Sequence, residues 1–228
     1  MAVSFAGCST DQLEASISPV SPSSILLRLR LETRDEHNAV EHVLDLMSAA
    51  LTSDGYRQRL AQFYGFYAPF EKKLKDHDAL QTCPGHTPSA SPGMRAALAS
   101  RLNKTALLQL DLQHLGVNAD ALPLCHKLPL AETQADVLGC LYVMEGATLG
   151  GRLITRHVQT TLGITPATGC SFFDGYGDDT GTMWQGMRQL LVNGAVDPAT
   201  ENRMVVSAIA TFTCLRQWCQ ANHQQTTT

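Results

Sequence analysis

The sequence predicts an all-α, single-domain protein, on three observations. Apolar residues recur at three- and four-residue steps over long stretches, β-branched residues nowhere alternate between hairpin turns, and no internal repeat divides the chain. A length of 228 residues, 44% of them hydrophobic, is enough to bury one substantial core.

Residues 1–24 are rich in Ser, Pro and Thr and lack apolar periodicity. They read as a disordered leader, with a helical domain over 25–222 and a tail over 223–228. Ser23 or Ser24 caps a long amphipathic first helix, in which Leu26, Thr33, Val40, Leu44 and Met47 recur at helical steps. Asp54 opens a second helix that runs to about His77. Cys83–Gly93 holds three prolines and two glycines and reads as a surface loop. Helical periodicity returns from Met94 to about Leu115, and further helices are expected at about 132–162, 181–193 and 198–221.

The net charge of −4, with no run of basic residues, argues against nucleic acid or an acidic membrane surface as partner. Seven cysteines form an odd set without CxxC spacing, which supports neither a disulfide framework nor a zinc site and suits reduced cytosolic thiols. Phe5-Ala6-Gly7-Cys8 resembles a lipoprotein cleavage site, but no basic start and no adequate apolar stretch precede it. Asp136, Glu145 and Arg152 break the most apolar segment, so no membrane-spanning helix is expected. These features together predict a cytoplasmic protein.

Two segments carry candidate chemistry. In the first helix His37 shares the apolar face, whereas His42, five residues on, sits about 140° around the axis. A lone inward histidine is ordinarily a hydrogen-bonded core residue, but two features favour a ligand. Glu41, four residues on, can accept the Nδ1 proton and leave Nε2 free for a metal. Arg30 and Arg34 flank the same face and suit an anionic ligand, although each alone also reads as a solvated helix charge.

The second segment, Asp136 to Ile154, is strongly helical in pattern yet contains Gly139, Gly146, Gly150 and Gly151. Glycines 146, 150 and 151 together give up about 2.5–3 kcal/mol of helix preference relative to alanine. Close helix packing through the Gly146/Gly150 pair is one explanation. Room for a flat ligand against a bare, kinked helix backbone is the other.

Together these segments resemble the heme oxygenases, and Tyr142-Val-Met-Glu-Gly-Ala-Thr-Leu-Gly-Gly is similar to the bacterial branch associated with bacteriophytochromes. The resemblance covers most of 25–220, and its other parts are Glu32-Thr-Arg-Asp-Glu-His37 and the weaker Phe172-Phe-Asp-Gly-Tyr-Gly with Trp184. It implies a helical domain that holds heme b, both substrate and cofactor, between a proximal and a kinked distal helix. His37 is then the iron ligand, with Glu41 as its hydrogen-bonding partner. Gly146, Gly150 and Gly151 form the catalytic distal surface. Arg30 and Arg34 contact the propionates, Tyr142, Tyr176 and Arg188 line the pocket or touch propionates, and Phe212 and Trp184 are core walls.

The implied activity is oxidative cleavage of heme by O2 to biliverdin, of the IXα type, with release of CO and ferrous iron. An external ferredoxin or reductase supplies the electrons, and a bacteriophytochrome is the implied recipient of the pigment. The pattern departs at Ala147, where animal members carry an aspartate, so proton delivery falls to water organised by Glu145, Arg152 or a more distant acid. A non-catalytic heme-storage or sensor protein is the competing expectation. A diiron oxidase would need several ExxH pairs, for which Asp111-x-x-His114 is only a partial match.

Overall fold

The computed structural model describes residues 24–76 and 92–223, with side chains over 25–76 and 92–222. The leader, the tail beyond 223 and the predicted loop up to residue 91 lie outside the described residues. Among those described there is no strand.

Among the described residues nine α-helices follow in order: α1 Ser24–Glu32, α2 Arg34–Leu44, α3 Ser53–Lys75, α4 Pro92–Ala99, α5 Lys104–His114, α6 Gln134–Leu162, α7 Ser171–Asp174, α8 Thr180–Gly194 and α9 Pro198–His223. The first predicted helix is thus two. At the break the Thr33 hydroxyl donates to the Leu29 carbonyl at 2.6 Å. A back-bonded threonine of this kind competes with the helix ladder and bends it. Helix α2 ends where Asp45 turns left-handed at φ 45°, so Met47 falls outside it and is exposed. The predicted 94–115 helix is also divided, between α4 and α5, and Pro92 and Gly93 begin α4 instead of closing a loop.

Helix starts follow side-chain chemistry. Thr52 accepts the Gly55 N–H at 3.1 Å ahead of α3. Thr133 and Asp136 form a reciprocal capping box ahead of α6, at the position the sequence reading gave within two residues. Asp136 also accepts from Arg203 at 2.8 and 2.9 Å and from Ser207 at 2.9 Å, which ties the α6 start to α9.

Helix α6 is the axis of the fold. By length and composition it could cross a membrane, contrary to the expectation from its three charges, yet it is a core helix here. Its first half packs on α9 and α8, where Gly139 lets the Met204 carbonyl approach to 2.2 Å of a would-be Cβ and Gly194 meets Leu138. Its second half packs on α7. The short helix α7, which periodicity did not reveal, is held at its start by Asp111 of α5, which accepts from Ser171 N and Oγ at 2.7 Å each and from Phe172 N at 2.8 Å. Phe172 and Phe173 then join Tyr56, Phe63 and Tyr67 of α3 in one aromatic cluster.

Helices α1 and α2 run along α9 in the same direction, as the pairs Arg28–Glu201 and Arg216–Glu36 require. The pairs Asp136–Arg203 and Gly139–Met204 give α6 and α9 a common direction too. Chain direction is therefore shared by α1/α2, α6 and α9.

Candidate functional site

The α1/α2 break meets α6 through the Thr33 hydroxyl and the Tyr142 phenol, whose proton affinity is raised by burial and lowered again by Thr33 and by the nearby Arg30. His37 lies one turn beyond Thr33 and Gly146 one turn beyond Tyr142. Because both helices leave this contact in the same sense, the space between His37 and Gly146 is the candidate cleft. Phe212 of α9 packs edge-on against the His37 ring at 5.6 Å, and Trp184 of α8 stands 5.9 Å from Tyr142.

The α6 wall is open. A Cβ on Gly146 or Gly150 would meet nothing within 4 Å. Leu149 and Leu153, which share that face at helical spacing, are 45% and 56% exposed. Gly151 behaves differently from its neighbour: a Cβ there would lie 2.0 Å from the Phe173 carbonyl oxygen. It is therefore a packing glycine between α6 and α7, whereas Gly146 and Gly150 face open space. Helix α6 runs unbroken through all three glycines.

The opposite wall is also solvent-facing. His37 is not packed in the core, as its apolar face had suggested; its side chain is 51% exposed. The Phe212 ring supports it from one edge. Its Nδ1 is 3.7 Å from Glu41 Oε2, an ion-pair distance beyond hydrogen-bonding reach. Arg30 and Arg34 are exposed on the same helices, and Arg34 Nε stands 3.7 Å from Asp35. Arg188 is half-buried on α8. An open glycine face, a half-exposed imidazole and two exposed arginines suit a planar apolar ligand with acidic substituents.

Tyr176 does not present a free hydroxyl: it donates to both oxygens of Glu145 at 2.9 and 3.0 Å. Glu145 is buried and also takes Arg101 at 2.7 Å and Lys104 at 3.3 Å. Sequence reading singled out Glu145 but not Arg101 or Lys104, because their periodic positions look like ordinary helix-end charges. Asp111 spends both oxygens on the start of α7, so it is committed away from the partial Asp-x-x-His match. A separate groove of about 840 Å³ lies between the α6 start and α9, away from His37, and its charged pair Asp136–Arg203 is engaged in capping.

The heme oxygenase family model matches residues 23–221. Three solved structures share the fold: the NO- and CO-bound heme oxygenase of Neisseria meningitidis (TM-score 0.68, 19% identity, 88% of this chain and 92% of that one), the heme oxygenase of Leptospira interrogans (0.65, 19%, 87% and 99%), and a heme oxygenase of the cyanobacterium Synechocystis in complex with heme (0.63, 17%, 88% and 93%). No curated protein sequence matches the chain.

Proposed function

Because the chain belongs to the heme oxygenase family, we propose that the cleft between α2 and α6 binds heme b as substrate and opens it to biliverdin, CO and ferrous iron. The observation that carries this reading is the bare Gly146/Gly150 face, one turn past the Tyr142–Thr33 contact, with His37 one turn past the same contact on the facing helix. Heme supplies the iron that activates O2 and the ring that is cleaved. His37 holds the iron through Nε2, and Glu41 biases the Nδ1 proton through their 3.7 Å approach. Arg30 and Arg34 would pair with the propionates, Tyr142, Tyr176 and Arg188 would line the pocket, and Phe212 would back the His37 ring.

The ring-opening position, IXα, is the product expected of the bacteriophytochrome-associated branch that the Tyr142–Gly151 wording resembles. Electrons come from an external ferredoxin or reductase, and a bacteriophytochrome is the recipient in a cytoplasmic setting. Adding hemin to the purified protein and following the visible spectrum, then supplying O2 with ascorbate or a ferredoxin system, tests the reading. Decay of a Soret band into biliverdin absorption supports it. A stable complex points instead to heme storage or sensing, the reading favoured by exposed Ala147 on α6, and failure to bind hemin overturns both.

A further inference from the structure

Beside the open face of α6 lies a buried group of charges that the packing does not require. Glu145 is about 100° around the helix axis from Gly146, so its carboxylate flanks the cleft wall. Arg101, Lys104 and the Tyr176 hydroxyl converge on it, and Lys104 Nζ also stands 3.8 Å over the Tyr176 ring. Behind Lys104, the buried Glu71 of α3 accepts the Lys104 backbone N–H at 2.6 Å and pairs at 3.5 Å with Lys75, whose side chain is half exposed. Glu71 also raises the proton affinity of the Lys104 ammonium electrostatically, so Lys75, Glu71, Lys104 and Glu145 are charged neighbours in that order from the half-exposed side inward.

Such a cluster is costly to bury, by several kcal/mol per ion before pairing repays it. Its donors are not fully satisfied either: Arg101 Nε and Lys104 Nζ are buried without a hydrogen-bond acceptor, although Lys104 remains within ion-pair distance of Glu145. Interiors that keep such donors use them to hold water or do chemistry. Desolvation pushes the Lys104 ammonium below the usual lysine range, against the pull of Glu145 and Glu71, and Arg101 pushes the same way as burial. Burial and Glu145 push the Tyr176 phenol upward, so the phenol is protonated at rest and can pass its hydroxyl proton on only as another replaces it. The open face itself carries no acid: Tyr142, Gly146, Leu149, Gly150 and Leu153 occupy it.

We infer that Lys104, Glu145 and Tyr176 form the proton supply for the cleft, recharged from solvent through Lys75 and Glu71. This inference rests on the reading that the Gly146 face holds heme. A proton passed from the Tyr176 hydroxyl toward the cleft is replaced through Glu145 from the Lys104 ammonium, which becomes a neutral amine. A proton entering by Lys75 and Glu71 restores the ammonium. Only O–H and N–H bonds form and break, and the electrons and O2 are those of the proposed reaction.

Three variants of the full chain, Tyr176→Phe, Lys104→Met and Glu145→Gln, are loaded with hemin and compared with the parent. The expected result in Tyr176→Phe is ring opening of the bound hemin slowed by about tenfold or more, a larger D2O effect on Soret decay, and partial rescue by a small added weak acid. A lower pH midpoint for the acid–alkaline transition of the hemin complex is expected in Glu145→Gln, because a negative charge beside the cleft is gone. Should Glu145→Gln or Lys104→Met fail to fold, Tyr176→Phe decides, since it deletes one hydroxyl and keeps every charge. Intact hemin affinity with parental rate and parental D2O effect overturns the inference, and so does a lowered Tm as the sole change. Parent protein that binds no hemin overturns the underlying reading instead.

Discussion

His37 Nδ1 and Glu41 Oε2 face each other across one turn of α2 at 3.7 Å, with both side chains more than half exposed. An imidazole so placed has its Nδ1 biased by a carboxylate while the ring stays half exposed. Such a pair is weak by itself, because solvent screens it. It gains definition only when a ligand covers the cleft.

For this reason His37→Ala is expected to remove the histidine signature of the hemin complex and abolish turnover while leaving the apo fold intact, with exogenous imidazole restoring the Soret position. Glu41→Gln is expected to weaken hemin binding by no more than about tenfold, the lower end for outer partners of a ligand. Visible titrations of the two variants check both statements. Full turnover by His37→Ala would remove His37 from the metal site.

Gly146 and Gly151 predict opposite outcomes for one substitution. Gly146→Ala adds a methyl where nothing lies within 4 Å and should stabilise the apoprotein by about 0.5–1 kcal/mol, at the expense of hemin affinity. Gly151→Ala forces a carbon against the Phe173 carbonyl and should cost about 1–3 kcal/mol. Urea unfolding and hemin titration of both variants separate the cleft glycine from the packing glycine.

Asp136 makes the protein sensitive to acid. Burial alone would raise its carboxyl, but Arg203, the Thr133 and Glu132 N–H groups and Ser207 outweigh burial and bring it to about 2. A carboxylate held below its unfolded value stabilises the fold at pH above about 4, and that contribution disappears as pH falls toward 2. Asp136→Asn should cost about 1.5–3 kcal/mol at neutral pH and flatten the acid limb of the stability curve. A pH series of urea midpoints measures this, and an unchanged acid limb would count against it.

Thiol reagents should discriminate among the cysteines. Burial pushes Cys140 and Cys219 up to about 12, and Cys125 and Cys170 also upward, so these four stay protonated and covered in the native protein. Labelling at neutral pH is expected to spare them until denaturant is added. Rapid native modification of Cys140 would show that the α6–α9 seam opens.

The helical class, the start of α6 at its capping box, the later helices and the shared turn that carries His37 with Glu41 were all legible in the sequence. Capping and 3.6-residue periodicity act within a few residues of chain, so local reading reaches them. The family wording around Gly146 likewise depends on residues adjacent in the chain. What each residue meets was decided only by tertiary structure. Gly146 and Gly151 are alike in sequence, yet one faces open space and the other the Phe173 backbone, because helix crossing sets their neighbours. His37 shares an apolar stripe yet its side chain is half exposed, because among the described residues the packing of α9 brings only the edge of Phe212 against its ring. The cluster of Glu71, Arg101, Lys104, Glu145 and Tyr176 joins residues up to 105 positions apart, and no periodicity within one helix encodes that meeting.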